Sequence, residues 1–82
     1  MAYNIQIFRL PDVLQQTGYK RSTLYARIRA GEFPRPIALG LRAVGWLSSE
    51  VEAVLAARIA GKSDEEIRAL VVKLESARKA AA

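Results

Sequence analysis

The side chains of this 82-residue chain that are best suited to chemistry are cationic. The sequence carries 13 Lys and Arg against 8 Asp and Glu, and it has no His and no Cys. The commonest general base, thiol chemistry and most zinc sites are therefore absent. The acids fall mainly at the starts of predicted helices, where the helix dipole accounts for them. We expect no enzyme activity, metal, cofactor or small-molecule ligand.

The positive charge is unevenly distributed along the chain. Residues 1–47 hold seven basic and two acidic side chains, whereas residues 48–82 hold six of each. The whole net charge of +5 therefore lies in the first part. This asymmetry favours a polyanion as the partner of that part. The alternative is a basic surface that serves solubility alone.

The stretch over residues 10–31, LPDVLQQTGYKRSTLYARIRAG, is typical of two short helices around a tight turn. Pro11 suits the first turn of a helix, where its missing N–H costs nothing. Gly18 can adopt the left-handed conformation that ends that helix. A second helix is predicted from about Arg21 to Ala30, with Gly31 as its stop.

The second helix has two unlike sides. Leu24 and Ile28 fall on the apolar side, and the opposite side is small, polar and cationic, with no acid. A DNA major groove admits such a helix, because small side chains allow close approach and Arg can bind guanine through two hydrogen bonds. The alternative is an ordinary amphipathic helix with a solvated basic face. The predicted contacts are Ser22, Thr23, Ala26 and Arg29 on base edges, Lys20, Arg21 and Arg27 on phosphates, and Tyr25 on the DNA backbone or in support of the helix.

Residues 37–46 predict a small β-hairpin with its turn near Gly40. The prolines of the preceding FPRP segment exclude a helix and favour an extended path. A hairpin that directly follows a recognition helix is a wing, and Arg35 and Arg42 would bring it to phosphates or the minor groove. The alternative is a plain hairpin with an exposed Arg. Residues 5–8 are expected to form an edge strand or an extended lead-in.

Two further helices are predicted after the hairpin. The first starts at about Ser48, is capped there or one residue earlier, and ends at Gly61. Ser63 and Glu66 have the spacing of a capping box that opens the second. The buried face of the first is expected to comprise Val51, Val54, Leu55 and Ile59. The core of the first 61 residues is expected to include Leu14, Leu24, Ile28, Phe33, Trp46, Val51 and Leu55.

The last helix carries an apolar stripe of Ile67, Leu70, Val71 and Leu74. We predict that this stripe makes a homodimer, since a single recognition helix reads only a short half-site. The alternative is that the stripe packs back on its own chain. The predicted organisation is a DNA-binding domain over residues 1–61 and a C-terminal helix over residues 62–82 as a candidate dimerisation element.

The ordered set FRLPDVLQQTG, RSTLY, GEFPRPI and AVGW, followed by a helix, resembles the AlpA-type regulators of phages and prophages. The resemblance covers about residues 8–59 and extends more weakly to phage excisionases. It implies a MerR-like winged helix-turn-helix that binds DNA, with recognition helix Arg21 to Ala30 and wing Leu39 to Val44. The chain has Lys20 where the family often has a capping Ser. The second helix would then start weakly, or Ser22 would cap a shorter one.

The predicted fold class is therefore mainly α with a small β-hairpin wing and an additional C-terminal helix. The predicted function is sequence-specific binding of double-stranded DNA as a transcriptional regulator. A phage excision or packaging accessory factor and an antitoxin-like interaction module are the alternatives. The sequence shows no signal-peptide pattern and no apolar run near the ~20 residues of a membrane span, so we expect no membrane association and a cytoplasmic protein, nucleoid-associated while on DNA.

Overall fold

The computed structural model describes residues 6–80 and contains four helices and three short strands within them. This confirms a mainly helical chain with a small antiparallel sheet. In chain order the elements are β1 (Ile7–Phe8), α1 (Leu10–Thr17), α2 (Arg21–Arg29), β2 (Ile37–Ala38), β3 (Val44–Leu47), α3 (Ser48–Ile59) and α4 (Asp64–Ala80).

The helix–turn–helix lies where the sequence predicts it. Pro11 is in the first turn of α1, and Gly18 ends that helix with φ of 74°. α2 begins at Arg21 although Lys20 makes no side-chain capping hydrogen bond. The alternative prediction of a shorter helix capped by Ser22 is therefore wrong. Leu24 packs in the core and holds the first turn of α2 without a side-chain cap. Gly31 follows α2 with φ of 77°.

The predicted hairpin pairs β2 with β3, and β1 adds a third strand on the other edge of β3. Ile37 lies opposite Gly45, and Phe8 lies opposite Trp46. A Cβ atom at Gly45 would lie 2.6 Å from Cγ2 of Ile7 and 3.0 Å from the carbonyl oxygen of Phe8, so any other residue there would force β1 or its side chains to shift. Ile5, the other residue of the predicted N-terminal strand, falls outside the described residues.

The third helix has the predicted ends, but its last residue is not buried. α3 begins at Ser48, and the capping position is one residue earlier at Leu47, which makes no side-chain capping hydrogen bond. Ile59 is 87% exposed, so its assignment to the buried face is wrong. Ile59 is the last residue of α3, beyond the point where α3 faces the core.

The core is shared by the helix-turn-helix, the sheet, α3 and α4. Its buried apolar residues include Phe33 and Trp46, as predicted, and Leu14, Ile28 and Leu55 pack around them while staying partly exposed. The indole N–H of Trp46 donates to the carbonyl of Pro34 at 3.0 Å. This bond satisfies the one polar atom of the largest core side chain and fixes the extended segment that enters the hairpin.

The fourth helix starts with the predicted capping box. The Ser63 N–H donates to Glu66 Oε1 at 2.9 Å, and the Glu66 N–H donates to Ser63 Oγ at 3.2 Å. Ile67 and Val71 are fully or almost fully buried in the chain's own core. α4 therefore packs against its own chain, which was the alternative to a stripe left free for a partner. Residues on both sides of Gly61 share one core.

Candidate nucleic-acid interface

The α2 surface that points away from the core has the composition predicted for a recognition helix. Ser22, Ala26 and Arg29 are exposed, and Leu24 on the opposite side is fully buried. α2 contains no acidic residue. A shallow, open concavity runs along this surface and is lined by Ser22, Thr23, Ala26, Arg27, Ala30 and Glu32. Short side chains at its centre leave room for a ligand to approach the backbone of α2.

The start of α2 presents free positive charge. Lys20 and Arg21 are exposed and form no ion pair within residues 6–80. Since no side chain caps this helix, the N–H groups of its first turn keep their hydrogen-bonding capacity. Those donors and the positive end of the helix dipole suit an anion such as a phosphate group.

Arg27 differs from the predicted phosphate-binding residue in one respect, because it already has a carboxylate partner. Its Nη1 donates to Glu32 Oε1 at 2.8 Å, and its guanidinium lies 5.9 Å from the ring centre of Tyr19. The hydrogen bond to Glu32 raises the pKa of Arg27 above its ordinary value. The structure thus holds Arg27 in one orientation at the edge of the α2 surface. Its side chain is still 40% exposed.

Glu32 is the buried centre of a charge cluster that the sequence analysis missed. Besides Arg27, it contacts Arg58 Nη2 of α3 at 3.4 Å and Arg68 Nη1 of α4 at 3.0 Å. The cluster ties the end of α2 to both later helices. Arg58 and Arg68 are 26 and 36 residues from Glu32 in the sequence, too far for any spacing rule to link them. The only signal was a lone acid between a helix stop and a core Phe.

The hairpin tip is fixed at its base and open at its end. The Leu39 N–H donates to the Ala43 carbonyl at 2.7 Å, which closes the segment Gly40–Arg42 as a tight tip. Arg42 is exposed. Arg9 Nε donates to the Val44 carbonyl at 3.0 Å and so holds the hairpin to the start of α1. The sequence analysis gave Arg9 no role.

Arg35 is fixed by its backbone and keeps its side chain exposed. Its N–H donates to Glu75 Oε2, and its carbonyl accepts from Arg78 Nη2, both at 2.8 Å. These bonds set the entry to the hairpin against α4. Seven of the ten predicted DNA-contact residues are exposed, in and just before α2 and in the hairpin and its entry: Lys20, Arg21, Ser22, Ala26, Arg29, Arg35 and Arg42. Thr23, Tyr25 and Arg27 are partly buried.

Within residues 6–80, no group of three or more Asp or Glu side chains is placed to hold a metal ion. None of the described helices is long and apolar enough to cross a membrane.

Comparison with known proteins identifies related sequences. Residues 6–59 match the family described as prophage CP4-57 regulatory protein (AlpA). The chain is 49% identical over 57 residues to the ORF88 protein of Enterobacteria phage P4, covering 70% of this chain and 65% of that protein. It is 35% identical over 60 residues to the DNA-binding transcriptional activator AlpA of Escherichia coli K12, covering 66% of this chain and 86% of the activator. α4 lies outside the family match.

Proposed function

Since the chain belongs to the AlpA family of prophage regulatory proteins, we propose that it is a sequence-specific DNA-binding transcriptional regulator with a MerR-like winged helix-turn-helix. α2 enters the major groove, and the hairpin serves as the wing on the DNA backbone or in the minor groove. The relative in Escherichia coli is named a DNA-binding transcriptional activator. That name and the family support the regulatory role.

One observation carries the proposal: the exposed surface of α2 is free of acid and small at its centre. Arg29 lies exposed on it and can bind guanine O6 and N7 together. Ala26 is short enough to meet a thymine methyl group, and Ser22 and Thr23 can bond to either kind of base edge. Tyr25, which is half-buried, supports the helix or contacts the DNA backbone.

Phosphate contacts position the helix in the proposed complex. Lys20 and Arg21 supply free charge at the start of α2, and Arg27 can add one of its remaining N–H groups while Glu32 keeps its orientation. Arg35 and Arg42 extend these contacts along the hairpin. Contacts of this kind release counterions, so the affinity for any duplex falls as salt rises.

We further propose that two copies bind together, because one α2 reads only a short half-site. The sequence predicts pairing through Ile67, Leu70, Val71 and Leu74. Ile67 and Val71 are buried in the core, and Leu70 and Leu74 pack against it while staying partly exposed. Pairing through α4 would therefore use Val72, which is 65% exposed, with the exposed parts of Leu70 and Leu74.

The test is selection of binding sites from a random-sequence duplex pool with the full chain, followed by a salt titration. We expect one enriched motif, and a logarithmic affinity that falls linearly with the logarithm of salt concentration. An excision factor would enrich a motif that lies in attachment sites rather than at promoters. An antitoxin-like or packaging module would enrich no motif, and that outcome would reject the proposal.

A further inference from the structure

The tip of the hairpin carries an apolar side chain that no residue of the described part of the chain, 6–80, covers. Leu41 is 100% exposed, and its neighbours Leu39 and Val44 are 43% and 39% exposed. Single exposed apolar residues are common on protein surfaces and need no explanation. Leu41 differs in that it sits at the end of a closed tip, beside the exposed cation Arg42.

The tip is held before any ligand arrives. The Leu39–Ala43 hydrogen bond closes it, and the bond from Arg9 to Val44 braces the strand that leaves it. A held tip loses little conformational entropy on binding, so burying Leu41 would add its full hydrophobic contribution to affinity. This arrangement favours insertion of the side chain into a narrow site.

The charge around the tip identifies the chemistry of that site. No acid occurs in the sequence between Glu32 and Glu50, while Arg42 lies at the tip and Arg35 at the entry to the hairpin, where the carboxylate of Glu75 accepts from the Arg35 N–H. Such a surface complements a polyanion. Three apolar side chains are also too few for a stable protein interface, which buries about 1,200 Å² or more. A second copy of the chain is therefore the weaker candidate for covering the tip.

We propose that Leu41 inserts between stacked base pairs from the minor groove of B-form DNA and bends the duplex, with Arg42 on the adjacent phosphate. Apolar wedges of this size partly unstack a base step and kink DNA by roughly 20–90°. Flexible pyrimidine–purine steps unstack at the lowest cost, so such a step is expected beneath the tip. The inference rests on the proposed function. It adds Leu41 to the DNA-contacting residues and predicts that the bound duplex is bent.

The experiment measures affinity and end-to-end energy transfer on a dye-labelled duplex that carries the selected motif. Leu41→Ser is expected to bind about tenfold more weakly and to lose the bend, because it forgoes most of one buried Leu side chain. Leu41→Met should keep both. Ile59→Ser removes a similarly exposed apolar side chain on α3 and is the matched control, expected to behave as the wild type. Thermal melting checks that each variant is folded.

A second arm replaces the pyrimidine–purine step beneath the tip with a stiff A-tract step. The wild type should lose about tenfold in affinity and Leu41→Ser should lose little, since stiffness matters only to a protein that kinks the step. Equal binding and bending by wild type and Leu41→Ser would overturn the inference alone. The inference would also be overturned if Leu41→Ser kept the bend but lost cooperative binding to two adjacent DNA sites. The tip would then contact a second copy of the protein. A wild type that binds no duplex selectively would reject both this inference and the proposed function.

Discussion

The guanidinium of Arg78 binds the carboxylate of Glu50 through two hydrogen bonds, Nε to Oε2 at 2.9 Å and Nη2 to Oε1 at 2.6 Å. Glu50 is buried in the first turn of α3, and Arg78 lies near the end of α4. The pair therefore fastens α4, which lies outside the family match, to α3, which lies within it. The hydrogen bond to Glu50 also raises the pKa of Arg78 above its ordinary value.

We predict that Arg78→Ala lowers the free energy of unfolding by about 3–5 kcal/mol, because it leaves a buried carboxylate without its partner. Urea unfolding followed by circular dichroism measures the change. Lys79→Ala removes an exposed cation from the neighbouring position and should change stability by less than about 0.5 kcal/mol. Equal effects of the two substitutions would show that the pair contributes nothing specific.

Acid should destabilise the start of α4. Hydrogen bonds from Ser63 hold the pKa of Glu66 below its ordinary 4.5, and the hydrogen bond from Arg58 holds the pKa of Asp64 below its ordinary 3.8. Folded pKa values below the unfolded ones give stability that is present above the unfolded values and is lost as pH falls through the folded ones. Urea midpoints measured from neutral pH down to about pH 3 should fall.

The variant Glu66→Gln should flatten that pH dependence, since Gln does not titrate. Glu65→Gln, which changes the neighbouring charge outside the capping box, is the control and should leave the slope unchanged. If both variants keep the wild-type slope, the capping box is not the origin of the acid sensitivity.

Oligomeric state tests the proposed pairing. The intact chain is expected to sediment as a dimer, and Leu70→Glu as a folded monomer, because a charge at this partly exposed position opposes an apolar contact. A chain that ends at Gly61 should fail to fold, since it would leave the core without Ile67 and Val71. Intact protein and Leu70→Glu sedimenting alike as folded monomers would contradict the pairing.

The hairpin should contribute through phosphates as well as through its tip. Arg42→Ala is predicted to weaken binding to specific and random duplexes alike, and to lower the slope of log affinity against log salt by about one unit. Fluorescence anisotropy at several salt concentrations measures that slope. Lys73→Ala, an exposed cation on α4, is the control. An unchanged slope for Arg42→Ala would mean that the hairpin does not lie on the phosphates.

Local signals predicted most of the fold because its boundaries are set by local physics. Gly18, Gly31 and the Ser63–Glu66 box mark helix ends through backbone conformation and short-range hydrogen bonds. The buried ion pairs of Glu32 and Glu50 could not be predicted, since each carboxylate finds its partners across the tertiary structure. In the sequence, Glu50 was explained only by the favourable position of an acid at the start of a helix. The structure adds its two hydrogen bonds from Arg78.

The same limit applies to the candidate site. Helical periodicity was enough to place Arg29 on the exposed side of α2 and Leu24 in the core. It could not show that Arg27 is paired with Glu32, nor that Arg9 braces the hairpin, because both depend on contacts between separate elements. α4 illustrates the point most clearly, since its stripe fits a partner or its own core equally well.

The most direct test of the central claim is the ratio of affinities for the selected duplex and a scrambled duplex, measured with wild type and Arg29→Ala at one salt concentration. The wild type should prefer the selected duplex by about 10³-fold or more. Arg29→Ala should lose about 1–3 kcal/mol of that preference at a single base position while binding scrambled DNA almost as before. Equal discrimination by both proteins would contradict the assignment of Arg29 as a base reader, and no preference in the wild type would contradict sequence-specific binding itself.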